Sequence, residues 1–219
     1  MISPRDVLRA NDERFADVAA GLTPEEWAAP SLCTEWSNRE VLGHLVVGCS
    51  HPVGTFLGAL VRHRNFDRAN TAIARDAARD RSAEALLTDF RAVSARPEGV
   101  GRYFPARLLL GDHITHELDI LFATGREPNI PPHLLNAVLD TQVAFPNPFV
   151  PAYRNSQDLR LVAVDTGWRH GNAGPTVEGT AAELISVLGN RPKVLPRLRG
   201  AGAEILADRL LSRQTRTAG

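Results

Sequence analysis

The chain has 219 residues, 43% of them hydrophobic, enough to bury a sizeable core as one large domain or as a main domain with an appendage. Its 25 Lys and Arg balance 25 Asp and Glu, so no net field draws it to nucleic acid or to an anionic membrane. No apolar run approaches the ~20 residues of a membrane span, and the opening MISPRDVLRANDERF lacks the apolar stretch of a secretory signal, so a cytoplasmic protein is expected.

A first helix is predicted over PRDVLRANDERFADVAAGL, where Val7, Leu8, Phe15, Val18 and Leu22 recur at helical spacing and Gly21 suits its end. TPEEWAAP follows, with the N-cap, N1 and N3 chemistry of a short helix in Thr23, Pro24 and Glu26 and a stop at Pro30. In WSNREVLGHLVVG, Ser37 and Glu40 form a capping box, while Trp36 and Val41 stand at the two positions of a hydrophobic staple. Phe66 to Arg81 reads as an Ala- and Arg-rich helix with a polar face, Arg81 to Ala95 as a helix capped by Ser82, and PEGVG as a loop. The next long helix runs from Arg107 to Thr124 and is closed by Gly125. PPHLLNAVLDTQVAF adds another, opened by Pro131 and Pro132 and ended by the cluster PNPFVP.

After Pro151 the texture changes. LRLVAVD alternates and is β-branched, TGWRHGNAGP is a turn-rich connection, and TVEG is a candidate partner strand. TAAELISVLGN reads as a helix with Thr180 and Glu183 as capping box and Gly189 at its end, and AGAEILADRLLSR as a last helix. The expected fold is mainly α: an antiparallel helical bundle over residues 1–150 and a small α+β domain over 151–219, joined between Phe145 and Ser156.

The helix RLLLGDHITHELDILFATG carries Asp112, His113, His116, Glu117 and Asp119 between apolar flanks. Asp112 and His116, four residues apart, lie on one face and can bind one metal ion together. Asp119 can either join them or accept the other ring N–H of His116. His113 and Glu117 make a second such pair turned by about 100°, so the two pairs cannot serve one site. Flanking Leu108, Leu109 and Ile120 favour the Asp112 pair. Two ligands on one helix hold an ion poorly, and His44, set among Val41, Leu42, Leu45 and Val47, is the candidate third. Three protein ligands leave a coordination position open, as in catalytic sites. Imidazole and carboxylate donors suit zinc, nickel, cobalt, iron or manganese.

From spacing alone, the competing reading is a salt-bridge pair with satisfied core histidines. His51, His63, His133 and His170 read as solvated. Cys33 and Cys49 are too few for a disulfide framework or a Cys-rich zinc site and read as reduced buried thiols, with Cys33 kept as a candidate lining residue of the site. No H-E-x-x-H, phosphate loop or G-x-S-x-G occurs, which removes several enzyme classes.

Taken as a set, SLCTEWSNREVLGHL, LLLGDHITHELDILFATGRE and LRLVAVDTGWRHGNAGPTVEGTAAELISVLGNRP resemble the mycothiol-dependent maleylpyruvate isomerase family, DinB-like metalloenzymes of actinobacteria. The resemblance implies a DinB-like four-helix bundle, a small α+β C-terminal domain and one divalent metal, zinc before nickel, cobalt, iron or manganese. Its ligands would be His44, which follows Trp36, Ser37 and Glu40 in a W-[ST]-x-x-[DE]-x-x-x-H pattern, and Asp112 and His116 of a carboxylate-x-x-x-H-x-x-D motif. Asp119 would be the partner of His116. Arg191, in the GNRP turn, stands where family members carry an arginine and is the implied catalytic, anion-binding residue.

Mycothiol is the implied thiol cosubstrate: a metal favours the thiolate, which would add to a small electrophile for cis–trans isomerisation or S-transfer. The alternatives are a metal-dependent hydrolase on the same bundle, using metal-bound water, and a non-catalytic protein that binds a ligand or a metal. A monomer or homodimer is expected, with no nucleic-acid or membrane partner.

Overall fold

The computed structural model describes residues 3–34, 36–147 and 150–217. The chain divides into two compact units, Met1–Glu127 and Pro128–Gly219.

The first unit contains α1 (Pro4–Ala19), α2 (Pro24–Ala28), α3 (Asn38–Ser50), α4 (Val53–His63), α5 (Phe66–Arg79), α6 (Ala83–Ala95), a 3-10 turn (Gly99–Arg102) and α7 (Ala106–Ala123). Four of these close a ring in which α1 packs on α6, α6 on α3, α3 on α7 and α7 back on α1, while α5 lies along α3. Phe15, Leu42, Leu45, Leu86, Phe90 and Ile120 meet at its centre, each at most 1% exposed, and burying each such side chain is worth roughly 1.5–3 kcal/mol. The expected capping box at Ser37 and Glu40 is present, and so is one at Thr23 and Glu26. A further box, Ser3 with Asp6, starts α1. Gly125 (φ 70°) ends α7 as expected: its N–H reaches Phe122 O at 3.3 Å and the Arg126 N–H reaches Leu121 O at 2.9 Å, the paired bonds of a Schellman motif.

Two features of this unit lie outside the expectations. α4 forms from a stretch that carried none, because its apolar positions Val53, Leu57 and Val61 face outwards and leave no buried stripe. Gly43 lets α3 and α5 approach closely, since a Cβ there would stand 2.9 Å from Ala74 O.

The second unit contains α8 (Pro132–Ala144), α9 (Ala152–Ser156), β1 (Arg160–Ala163), β2 (Arg169–His170), β3 (Thr176–Gly179), α10 (Ala181–Leu188), a 3-10 turn (Pro192–Arg197) and α11 (Gly202–Thr217). TVEG is the partner of LRLVAVD, pairing parallel with Leu161 opposite Val177. The connection expected as pure turn also contributes β2, antiparallel to β1, so the sheet order is β2-β1-β3. The division falls at 127/128, whereas the sequence reading joined the domains near 145–156. The reason is the apolar face of α8, where Leu134, Leu135, Val138, Leu139 and Val143 are buried and the helix packs on α10 and α9. Residues 148 and 149 of the PNPFVP cluster lie outside the described residues. Among the described residues, no helix is long and apolar enough to cross a membrane.

Candidate metal centre

α7 is the inner helix of the first unit, and every residue from His113 to Leu121 is buried. Its ionisable groups therefore cannot reach bulk water on both sides and must find partners within the bundle. The 3.6-residue period sends them to two different neighbours.

Towards α3, the set expected from the sequence comes together. His44 Nε2 lies 3.4 Å from Asp112 Oδ2, and His116 Nε2 lies 3.6 Å from Asp112 Oδ1. One donor atom from each of His44, Asp112 and His116 falls within 4.8 Å of the others. The other nitrogens are committed. His116 Nδ1–H donates to Asp119 Oδ2 at 2.9 Å, and His44 Nδ1–H donates to Asn70 Oδ1 on α5 at 3.1 Å. When both rings are neutral and protonated at Nδ1, the two Nε2 lone pairs and the Asp112 carboxylate face one another as three acceptors with no donor between them.

Electrostatics sharpen this picture. Burial pushes the Asp112 carboxyl up, but the positive charge that His44 and His116 carry when protonated, with a hydrogen bond from His44, more than reverses this and holds it well below the usual carboxylate range. Burial pulls His116 below the ordinary histidine value, against the pull of Asp119 and Asp112, which keeps its imidazole neutral and its Nε2 lone pair free. Trp36 roofs both rings, with centroid separations of 5.1 Å to His44 and 5.8 Å to His116, and is itself held by its Nε1–H bond to Thr71 Oγ1 at 3.2 Å. Asp112 is 40% exposed at its side chain, so the site has an open side beside the carboxylate.

Towards α1, the second pair has a different environment. His113 Nδ1 meets Asp12 Oδ1 at 2.8 Å and its Nε2 lies 3.7 Å from Cys49 Sγ. Glu117 accepts two bonds from Arg14, at 2.8 and 2.5 Å. Burial would depress His113, but the Asp12 carboxylate more than offsets it and raises the imidazole well above its ordinary value. Each acid here has its own base, as the incompatibility of the two pairs anticipated.

Among the remaining expectations, Cys33 is half-buried and its Sγ belongs to a second donor group with His116 and Asp119. Arg191 is half-buried in the second unit. It follows α10 in another Schellman motif: Asn190 (φ 73°), not Gly189, takes the left-handed position, and the Arg191 N–H bonds Ser186 O at 3.0 Å. Its guanidinium reaches Gly189 O at 2.5 Å. His51 and His63, read as solvated, line a cavity of about 810 Å³ between α3, α4, α5 and α6, and none of His44, Asp112 or His116 lines it. Asn70 and Trp36 are the contributors to the centre that sequence reasoning missed in this role. Trp36 had a signal, since its pattern with His44 was noted, but Asn70 lies in an Ala- and Arg-rich run with nothing to mark it.

A four-helix bundle that gathers two imidazoles and a carboxylate, followed by a small α+β unit, is the class of protein defined here. Residues 8–100 match the mycothiol maleylpyruvate isomerase N-terminal domain. The fold is shared with a crystal structure of a histidine-to-alanine mutant of the mycothiol-dependent maleylpyruvate isomerase, at 12% identity and a TM-score of 0.57 over 91% of this chain and 92% of that one. A second crystal structure of the mycothiol-dependent maleylpyruvate isomerase aligns over the same shares at 12% identity with a TM-score of 0.53. No curated protein matches the chain.

Proposed function

We propose that the protein is a metal-dependent, mycothiol-using enzyme of the maleylpyruvate isomerase type, with His44, Asp112 and His116 holding one divalent cation. The supporting observation is the convergence of three acceptors whose protons are engaged elsewhere. Donor atoms 2.0–2.1 Å from a tetrahedral ion stand roughly 3.3–3.4 Å apart. The separations of 3.4 and 3.6 Å along this carboxylate suit that spacing, and zinc heads the metals that such donors take.

When bound, the cation would supply the positive charge that favours a thiolate over a thiol at its open position. The chain's own residues do the rest. Asp119 and Asn70 fix the tautomer and rotation of the two rings, as metal-bound imidazoles require. Trp36 shields one side from water, which strengthens charge interactions there. Arg191 is proposed to bind an anionic group of the substrate, on the strength of the sequence pattern around it. In an isomerase of this kind the thiolate adds to a cis double bond, rotation follows about the single bond, and the thiolate leaves. S-transfer to an electrophile would use the same residues and omit the last step.

Elemental analysis of wild type and His44→Ala, with mycothiol-dependent turnover of maleylpyruvate followed in parallel, tests this reading. One equivalent of divalent metal is expected in the wild type, lost in the variant together with turnover. Full metal content in the variant would remove His44 from the ligand set, and turnover of a hydrolysable substrate without mycothiol would point to a hydrolase.

A further inference from the structure

His116 has a second face. Cys33 Sγ, a ring nitrogen of His116 and a carboxylate oxygen of Asp119 lie within 4.8 Å of one another, a group separate from that of His44 and Asp112 but sharing His116. His116 turns Nε2 to Asp112 and Nδ1 to Asp119, so Nδ1 is the ring nitrogen on the Asp119 side. The loop that carries Cys33 is tied to α7 at this residue: the Leu32 N–H donates to Asp119 O at 3.2 Å, and the Cys33 N–H donates to Ser31 Oγ at 3.1 Å. Asp119 is fully buried and Cys33 half-buried, so the donors are largely desolvated yet open on the thiol side.

We propose that Cys33, His116 through Nδ1 and Asp119 form a second metal site, for a thiophilic divalent cation, that competes with the first site for His116. Thiolate, imidazole and carboxylate are all donors that zinc and its heavier congener cadmium accept. Donors 2.0–2.3 Å from a tetrahedral ion stand roughly 3.3–3.8 Å apart, so the His116–Asp119 pair, now at 2.9 Å, must open slightly to admit the ion. The proton balance is simple. Cys33 gives up its S–H proton to solvent, the ring proton moves from Nδ1 to Nε2, and Asp119 stays a carboxylate, so one proton is released per ion bound. With Nε2 protonated, His116 has no lone pair left for an ion beside His44 and Asp112. Occupation of the second site therefore weakens the first, and an excess of a thiophilic ion inhibits where one equivalent activates.

The test is a cadmium titration of the chelator-treated full-length protein, read by the ultraviolet thiolate-to-cadmium charge-transfer band and by proton release. Wild type and His44→Ala are each expected to reach a band of one cadmium–thiolate equivalent with one proton released. Cys33→Ser, which keeps the shape of the side chain, should lose the band, and Cys49→Ser should keep it. A band that survives Cys33→Ser, or no band in the wild type, overturns the proposal. So does a band whose cadmium affinity is the same in His116→Ala, since that would be a thiol acting alone. Because His44→Ala removes the first site and spares the second, failure of one assignment is separable from failure of the other.

Discussion

The two faces of α7 use the same residue types at the same spacing and do opposite things. On the α1 side, His113 and Glu117 are matched one to one by Asp12 and Arg14, although the second oxygen of Asp12 is buried without a hydrogen-bond partner. On the α3 side, the Nδ1 atoms of His44 and His116 are directed outwards to Asn70 and Asp119, and in the neutral rings what faces inward is lone pairs. An i, i+4 pair of His and carboxylate is therefore not informative in itself. Both α7 histidines turn Nδ1 to an aspartate, and what separates the two sides is what meets Nε2: Cys49 Sγ for His113, the carboxylate of Asp112 for His116.

The largest expected contrast comes from removing the carboxylate on each side. Asp112→Ala should abolish stoichiometric metal binding, measured by elemental analysis, while leaving chelator-treated protein nearly as stable as wild type, because that side chain is part-exposed. Asp12→Asn should do the reverse, keeping the metal and costing about 3–5 kcal/mol in urea unfolding, since it strands a buried imidazolium. The pH dependence of that cost has a definite sign. His113 is raised in the folded state, so the contribution of the pair is complete below its unfolded value of about 6.5 and declines as pH rises from there through the raised folded value. Urea midpoints for wild type and Asp12→Asn should converge across that alkaline window, and a gap that widened with pH would contradict the assignment.

Asp119→Asn gives a smaller effect confined to the metal side. It leaves the three ligands in place but weakens the bond that fixes the His116 tautomer, and such partners are worth about 10–100-fold in metal affinity. Competition titration against a chromophoric chelator would measure it. In acid, the share of the affinity loss that comes from His116 should set in below the ordinary histidine range, because burial holds that ring neutral to lower pH than a solvated imidazole, and His116→Ala in the same titration isolates that share.

How much of this was legible depends on the distance over which residues meet. The grouping of His44, Asp112 and His116 was readable because Asp112 and His116 share one helix face and His44 sits in a capped, strongly patterned helix. The α1 network was not, since Asp12 and Arg14 meet His113 and Glu117 across 101 and 103 residues and nothing in either segment names the other. The bundle was legible from periodicity and caps. α4 was not, because its apolar side has no buried partner, and the position of α8 was misjudged because an amphipathic helix declares that it has a face to bury but not against what.

The smallest effect worth measuring is Ser37→Ala, because it asks whether the metal side depends on the stability of its helix or on the local positioning of its rings. Ser37 Oγ accepts the Glu40 N–H and Glu40 reaches back to the Ser37 N–H at 2.7 Å, so the box fixes the first turn of α3 two turns before His44. Loss of the cap should cost about 1 kcal/mol, which for a chain of this length lowers the melting temperature by roughly 2–4 °C. His44 is held by its bond to Asn70 on α5, which does not pass through the cap, as well as by the Trp36 ring beside the cap. Metal affinity should therefore change by less than in Asp119→Asn. If Ser37→Ala lowered affinity as much as Asp119→Asn, the geometry of the centre would rest on the helix start rather than on the partners of its two rings.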